Sequence, residues 1–247
     1  MTMKTVMLSD NSVNQAARVA GDHTSMRSSF DRDFFHRVYD TPHSVYRKRL
    51  EYAGMTGHHR VLDAACGYGQ WSLALSETNR CTYAIDIDAQ RIGVLSRLRS
   101  LLGIRSIYTS IGGLDQLPFP ENTFDAIFCY SAVFFGDWRR AIAELLRVTR
   151  PGGSLYVGGN GAIGWYLYNF IEGHKNSEDF STRRMAWDTI MNTLGGRWGR
   201  TSGAYRQSII PPRVLANHLE QCGARVEQTA ADGRAGSSDI SLPVQFF

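Results

Sequence analysis

Val61-Leu62-Asp63-Ala64-Ala65-Cys66-Gly67-Tyr68-Gly69-Gln70-Trp71 is the stretch on which the reading of this chain turns. Val61 to Ala65 is a short apolar run that reads as a strand, and Gln70 to Glu77 has the pattern of a helix. Between them, Gly67 and Gly69 can take backbone angles closed to other residues and let the main chain approach a ligand closely. A glycine turn at the carboxyl end of a strand is where open α/β sheets bind ligands. Gly-x-Gly alone does not name the ligand. It fits a dinucleotide-binding dehydrogenase, and equally a strand-to-helix turn that holds nothing.

Downstream, Cys81 to Ile87 reads as a second strand ending in Asp86, 17 positions after Gly69, where a carboxylate can accept from both hydroxyls of a ribose. Asp88 reads as a solvated acid at a strand end. Ser72 stands where a third glycine is expected, so no pyrophosphate needs cradling. Ala89 to Leu102 carries Ile92, Leu95, Leu98 and Leu102 at helical spacing, and Ile107–Ile111 and Phe124–Ser131 read as strands. Asp137 to Arg150 presents Ile142, Leu145 and Leu146 on one face, and Pro151-Gly152-Gly153 turns the chain into a strand from Ser154 to Gly158. Strands alternating with helices predict a mostly parallel sheet covered on both faces.

From Gly161 to Arg206 the alternation stops, and Trp165, Tyr166, Tyr168, Phe170, Trp187 and Trp198 suggest a helical insertion. Pro211 and Pro212 then open a helix through Gln221, Gly223 closes it, and Ala224–Thr229 and Ser241–Phe247 are expected to supply the last two strands. The predicted fold is therefore α/β and Rossmann-like, a mostly parallel seven-stranded sheet with helices on both faces and a helical insertion after the fifth strand. Upstream, residues 1 to about 28 are polar and read as a loose leader. Phe30 to Tyr52 suggests two short helices separated by Pro42. The expected division is an N-terminal leader with helices over 1–55 and a single domain over 56–247, with its cap at about 161–206.

Composition narrows the function classes. A chain of 247 residues with 43% hydrophobic and 20% charged residues fits one globular core. The 27 Lys and Arg barely outnumber the 23 Asp and Glu and form no basic block, so no nucleic-acid partner is expected. Cys66, Cys81, Cys129 and Cys222 have no metal or disulfide spacing, and none of His23, His36, His43, His58 and His59 is spaced with carboxylates as a metal-ligand set. Met1 to Gln15 lacks the apolar core of a signal peptide, and Ala126–Phe135 falls short of the roughly 20 residues that span a bilayer. A cytoplasmic protein without a membrane partner is the expectation.

Asp63-x-x-Cys66-Gly67-x-Gly69, Asp86, Leu117-Pro118-Phe119 with Phe124-Asp125, and Arg150-Pro151-Gly152-Gly153 follow one another in an order and spacing that resembles the class I S-adenosylmethionine-dependent methyltransferases. The likeness is to the broad small-molecule group that includes the ubiquinone-biosynthesis enzymes, and it spans roughly Arg60 to Val157. The resemblance implies S-adenosylmethionine as cofactor. It places Ala65, Cys66, Gly67 and Gly69 along the methionine part, Asp63 near its ammonium group and Asp86 on the ribose. Ile87 would line the adenine, Gly113, Leu114 and Asp115 would meet its edge, and Cys129, Tyr130 and Ser131 would face the sulfonium and the acceptor. Two departures stand out: relatives often carry an acid at the place of Gly113 and a histidine pair where this chain has Phe134-Phe135.

A sulfonium methyl is already electrophilic, so positioning donor and acceptor in line supplies much of the catalysis. An alcohol or protonated amine as acceptor would need a base, for which Tyr130 and His174 are candidates, each with a packing role as the plainer reading. The aromatic insertion suits an aromatic acceptor, and Arg183, Arg184, Arg197, Arg200 and Arg206 suit an anionic one, although a solvated basic face explains them too. Transfer to O or N of a small molecule is the favoured reading. RNA or protein methylation, a nicotinamide-dependent oxidoreductase, and a cofactor-binding protein without turnover stay open.

Overall fold

Val61 to Ala64 are buried on both faces, which an apolar run can tolerate only as a central strand. That strand, β1 (Arg60–Ala64), lies between β2 (Cys81–Asp86) and β4 (Phe124–Tyr130), with β3 (Ile107–Ile111) beyond β2 and β5 (Thr149–Gly158) beyond β4. The computed structural model describes residues 7–21, 26, 28–159, 163–173, 176–177, 180–195 and 207–229. All four neighbouring pairs run parallel, and Asp63 is level with Ala84 on one side and Phe128 on the other. The chain leaves β1 through α4 (Gln70–Thr78) and α5 (Ala89–Leu101) toward β3, then crosses back to β4 and through α6 (Trp138–Val148) to β5. The strand order thus reverses between β1 and β4, and the crevice outside their carboxyl ends is the ligand position of this architecture.

The sheet of the described residues has five strands in the order β3-β2-β1-β4-β5, not seven. Residues 224–229, expected as a strand, form none. In this segment Arg225 pairs with Glu227, and Gln228 Nε2 donates to the Tyr52 hydroxyl at 3.2 Å. Ser241–Phe247 lies outside the described residues. The insertion holds α7 (Ile163–Glu172), a two-stranded antiparallel ribbon of β6 (Asn176–Ser177) and β7 (Phe180–Ser181), and α8 (Thr182–Leu194). After it, α9 (Pro212–Gln221) starts at the expected prolines. No helix among the described residues is long and apolar enough to cross a membrane.

The N-terminal region differs from a loose leader. Residues 10–20 form α1 (Asp10–Ala20), capped by the Ser9 hydroxyl, which accepts from Ser12 N–H. Its buried face is Val13, Ala16, Ala17 and Ala20, a stripe with so few large side chains that hydropathy hides it. This face joins Phe35 and Val38 of α2 (Ser29–Asp40) and Leu95 and Leu98 of α5 in one cluster. α3 (His43–Tyr52) follows after Pro42, whose ψ of 133° separates the two helices as expected.

Strand β5 begins at Thr149 and so contains the Pro151-Gly152-Gly153 segment expected as a turn before it; the register with β4 shifts between Phe124 and Ala126. Asp125 anchors that irregularity, accepting from Arg60 N–H at 2.6 Å and pairing with Arg150. A Cβ on Gly153 would meet the carbonyl oxygens of Arg150 and Asp125, each at 2.9 Å. Backbone atoms cannot rotate away, so Gly153→Ala should cost about 1–3 kcal/mol, the usual range for overpacking. Urea denaturation should show a lowered midpoint at unchanged slope. A midpoint equal to wild type would mean that β5 can slide on β4.

Candidate functional site

The glycine turn is fastened to the second strand by its own backbone. Cys66 N–H donates to Ile85 O at 2.9 Å, Gly69 N–H to Cys66 O at 2.9 Å, and Gly67 N–H to Asp86 Oδ2 at 2.8 Å. Ala65, Gly67 and Gly69 all have positive φ, at 62°, 56° and 90°. Gly69 is also the residue before α4, and a Cβ there would overlap the Leu95 side chain. A non-glycine residue such as Ala65 held in this region carries strain of the kind that gathers at functional sites. The Cys66 side chain is buried, and burial pushes its thiol pKa well up, so Cys66 serves the turn through its backbone.

Two acids stand behind the turn. Asp63 is 1% exposed and accepts from the Ser72 hydroxyl at 2.5 Å. Burial pushes its pKa up to about 7 against the opposing Ser72 hydrogen bond, and the nearby charge of Asp86 adds to the rise. Ser72, at the place of the absent third glycine, thus has a polar role. Asp86 is also buried, and its other oxygen accepts from Asp88 N–H at 2.9 Å. A carboxylate has about four lone-pair sites, so both oxygens of Asp86 can still accept from a ligand. Two buried carboxyl groups beside one turn favour a cationic guest. Asp88 is not merely a solvated acid: its side chain caps α5, accepting from Gln90 N–H at 2.8 Å.

On the far side of Asp86, Ile87 is 77% exposed, an unusual state for an isoleucine at a sheet end. Leu114 packs partly into the core, whereas Asp115 is exposed. The Cβ position of Gly113 lies 2.7 Å from Asp115 Oδ1 and 3.9 Å from Ile87 Cδ1. Gly113, Asp115 and Ile87 therefore meet, and the carboxylate of Asp115 occupies the space that an acidic side chain at 113 would need.

At the end of β4, Tyr130 is half-buried, Ser131 has φ 59°, and Cys129 is fully buried with its thiol pKa pushed up by burial. Sequence reasoning missed what holds Tyr130. Arg49 of α3, 8% exposed, donates to its hydroxyl at 3.1 Å and lies 5.0 Å from the ring centroids of both Tyr130 and Trp71. On a helix an arginine at i+3 from Tyr46 looks like a solvated residue, so only its burial betrays it. Phe134-Phe135 sits in a 3₁₀ turn (Val133–Phe135), and the buried Phe134 carbonyl accepts from Ser208 N–H at 2.9 Å. His174, the other candidate base, lies outside the described residues, as do Trp198, Arg197, Arg200 and Arg206. Two cavities, of about 300 Å³ between α1 and α2 and about 210 Å³ between α6 and α9, touch none of the expected site residues.

Residues 61–153 match the family described as methyltransferase domain. YcgJ, an uncharacterized methyltransferase of Bacillus subtilis (strain 168), is 32% identical over 105 residues, 42% of either chain. The demethylmenaquinone methyltransferase of Geobacillus stearothermophilus is 31% identical over 102 residues, 38% of this chain and 42% of the relative. The chain thus spans less than half the length of these curated relatives. A S-adenosylmethionine-dependent methyltransferase from Aquifex aeolicus shares the fold at a TM-score of 0.50 and 19% identity, covering 74% of this chain and 81% of that one. So does geranyl diphosphate methyltransferase, solved with S-adenosylmethionine, at a TM-score of 0.53 and 16% identity over 81% and 73% of the two chains. The matched segment runs from the first strand through the glycine turn and the closing acid of β2 to the start of β5, and over that segment the chain is similar to the S-adenosylmethionine-dependent methyltransferases.

Proposed function

We propose that this chain transfers a methyl group from S-adenosylmethionine to a small-molecule acceptor, at O or N, chiefly by holding donor and acceptor in line. The observation that carries this reading is the pair of buried acids, Asp63 and Asp86, behind a backbone-fastened glycine turn at the β1/β4 crevice. A guest with a cationic amino acid part and a ribose fits that chemistry, and a pyrophosphate, doubly anionic, does not. When bound, S-adenosylmethionine supplies a methyl group already activated by the sulfonium charge.

The remaining work falls to the chain's own residues. Asp86 would accept from the ribose hydroxyls with the lone pairs its two backbone donors leave. Asp63 would face the ammonium group, and the turn from Ala65 to Gly69 would run along the methionine part. Ile87, Leu114 and Asp115 would form the adenine side, Asp115 doing what an acid at 113 does in relatives. Tyr130, with its hydroxyl oriented by Arg49, would face the acceptor. The likeness to a demethylmenaquinone methyltransferase and the stacked rings of Phe128, Tyr130 and Tyr156 favour an aromatic acceptor over an aliphatic one.

Calorimetry with S-adenosylhomocysteine should give micromolar binding, with none for NAD. Asp86→Ala should weaken that binding by about 1–3 kcal/mol, as expected for loss of a charged hydrogen-bond partner. Unchanged affinity would mean that the ribose is held elsewhere. Robust transfer of label to bulk RNA, or NAD binding without S-adenosylhomocysteine binding, would replace the proposal.

A further inference from the structure

One side of α6 grips the chain that runs from Asp115 to Phe119. Arg140, Glu144 and Arg147 follow at helical spacing and so share a face of that helix. Arg140 Nε donates to the Asp115 carbonyl oxygen at 3.0 Å. Glu144 Oε2 accepts from Leu117 N–H at 2.8 Å, and Arg147 donates through Nη2 to Leu117 O at 3.1 Å and through Nη1 to Phe119 O at 2.9 Å. Glu144 and Arg147 also clasp each other, Nε to Oε1 at 2.7 Å and Nη2 to Oε2 at 2.8 Å. The Arg147 hydrogen bond holds the Glu144 carboxyl below the usual carboxylate range, so the clasp is ionised. Every one of these contacts outside the clasp falls on a backbone atom, so the grip fixes the path of the segment.

The other end of the segment is tied to the seat. Gly112 N–H donates to the Asp86 carbonyl oxygen at 3.0 Å, and the Cβ position of Gly113 lies 2.7 Å from Asp115 Oδ1 and 3.9 Å from Ile87 Cδ1. Residues 112–117 belong to no helix or strand, so no ladder of hydrogen bonds sets their course, and the ties at either end must. Asp115 and its neighbour Ile87 are both exposed, which lets a ligand reach them. Arg140 takes the carbonyl of Asp115 and not its carboxylate, which leaves the carboxylate oxygens to that ligand. An ionised carboxylate only accepts, so it matches a group that donates.

We propose that Arg140 is a positioning residue for base recognition: by holding the Asp115 carbonyl against α6, it aims the Asp115 carboxylate at the exocyclic amino group of adenine. The inference rests on the reading of Ile87, Leu114 and Asp115 as the adenine side of the seat. Its consequence is selectivity. A purine with a carbonyl oxygen in place of the amino group would set acceptor against acceptor, and a site built to hydrogen-bond a donor rejects a ligand that lacks it.

The test is calorimetry with S-adenosylhomocysteine and S-inosylhomocysteine, its analogue with a carbonyl oxygen for the amino group, on wild type, Arg140→Met, Arg140→Lys and Asp115→Asn. Wild type should prefer the adenosyl ligand at least about tenfold, the scale of a hydrogen bond to a charged group. Asp115→Asn should cut the preference to under about threefold, because an amide can donate to the carbonyl as well as accept. Arg140→Met should do the same, chiefly by weakening the adenosyl ligand, and Arg140→Lys, which can still donate to the Asp115 carbonyl, should restore much of it. Arg140 is exposed, so denaturant midpoints of its variants should match wild type; should Arg140→Met not fold, Arg140→Ala carries the same comparison. Equal loss for both ligands in Arg140→Met, or a preference that survives it, would overturn the proposal. A wild type that binds both ligands alike would instead sink the reading of Asp115 as the adenine acid, and one that binds neither would sink the reading of the seat.

Discussion

Glu77→Ala should destabilise the fold by about 3–5 kcal/mol, the cost of removing one partner from a buried ionic network. Glu77 is 4% exposed on α4 and gathers three separate parts of the chain. Its Oε1 accepts from Leu8 N–H at 2.8 Å and from His43 Nε2 at 2.9 Å, and its Oε2 from Arg47 Nη1 at 3.1 Å. The segment before α1, helix α3 and helix α4 therefore meet at one carboxylate. Burial raises the Glu77 pKa, but the His43 and Arg47 partners and the Leu8 amide outweigh it, so the net shift is downward. A depressed carboxyl contributes stability that is present above its unfolded value and lost as pH falls through its folded one. Glu77→Gln keeps an oxygen for Leu8 and should recover part of the loss. Denaturant midpoints measure both variants, and hydrogen exchange should show α1 losing protection first. A cost under about 1 kcal/mol for Glu77→Ala would mean that solvent replaces the carboxylate at no penalty, as it does for exposed pairs.

Asp10 repeats the arrangement on a smaller scale, accepting from the amide and hydroxyl of Ser44 at 2.8 and 3.0 Å. These long-range polar ties explain which parts of the architecture can be read from residues in order. Much of the alternation from Val61 to Gly158 is legible because β1 and β4 bury runs of apolar side chains and α5 and α6 show them at helical spacing, both local properties. The glycine turn and Asp86 are legible for the same reason: a φ restriction and a fixed distance along the chain. Helix α1 is not, since its buried stripe is mostly alanine and its fastening comes from Glu77 and Asp10 acting over tens of residues. Nor is Arg49, whose type predicts solvent and whose position is set by rings on other elements. The strand expected at Ala224–Thr229 fails in the opposite direction. Alternation at Ala224–Thr229 meets the local criterion, yet a strand exists only where a neighbour offers its backbone, and the residues around 225–228 find side-chain partners instead.

The part of the protein's stability that one buried acid governs should fall as pH rises from about 4 to about 7, opposite to the gain that Glu77 supplies as it ionises. Asp63 is the cause. Its pKa is raised from 3.8 to about 7 chiefly by burial, so between those values the folded state holds a proton that the unfolded chain has released. With more protons bound in the folded state, stability declines with pH, and a rise of about three units corresponds to at most about 4 kcal/mol. Above about 7 the slope vanishes, because both states are then ionised. Asp63→Asn keeps an acceptor for the Ser72 hydroxyl and should remove this part of the profile alone. Denaturant melts at half-unit steps from pH 4 to 8 decide it: the same slope in wild type and Asp63→Asn assigns the titration elsewhere. The same carboxyl links stability to ligand. A cation seated beside Asp63 favours its ionised form, so S-adenosylhomocysteine, through its ammonium group, should bind more tightly as pH is raised through 7 and should expel a proton below it. Calorimetry in buffers of different ionisation enthalpy reads that proton directly. Binding that is independent of both pH and buffer would place the ammonium group away from Asp63 and leave the acid a purely structural partner of Ser72.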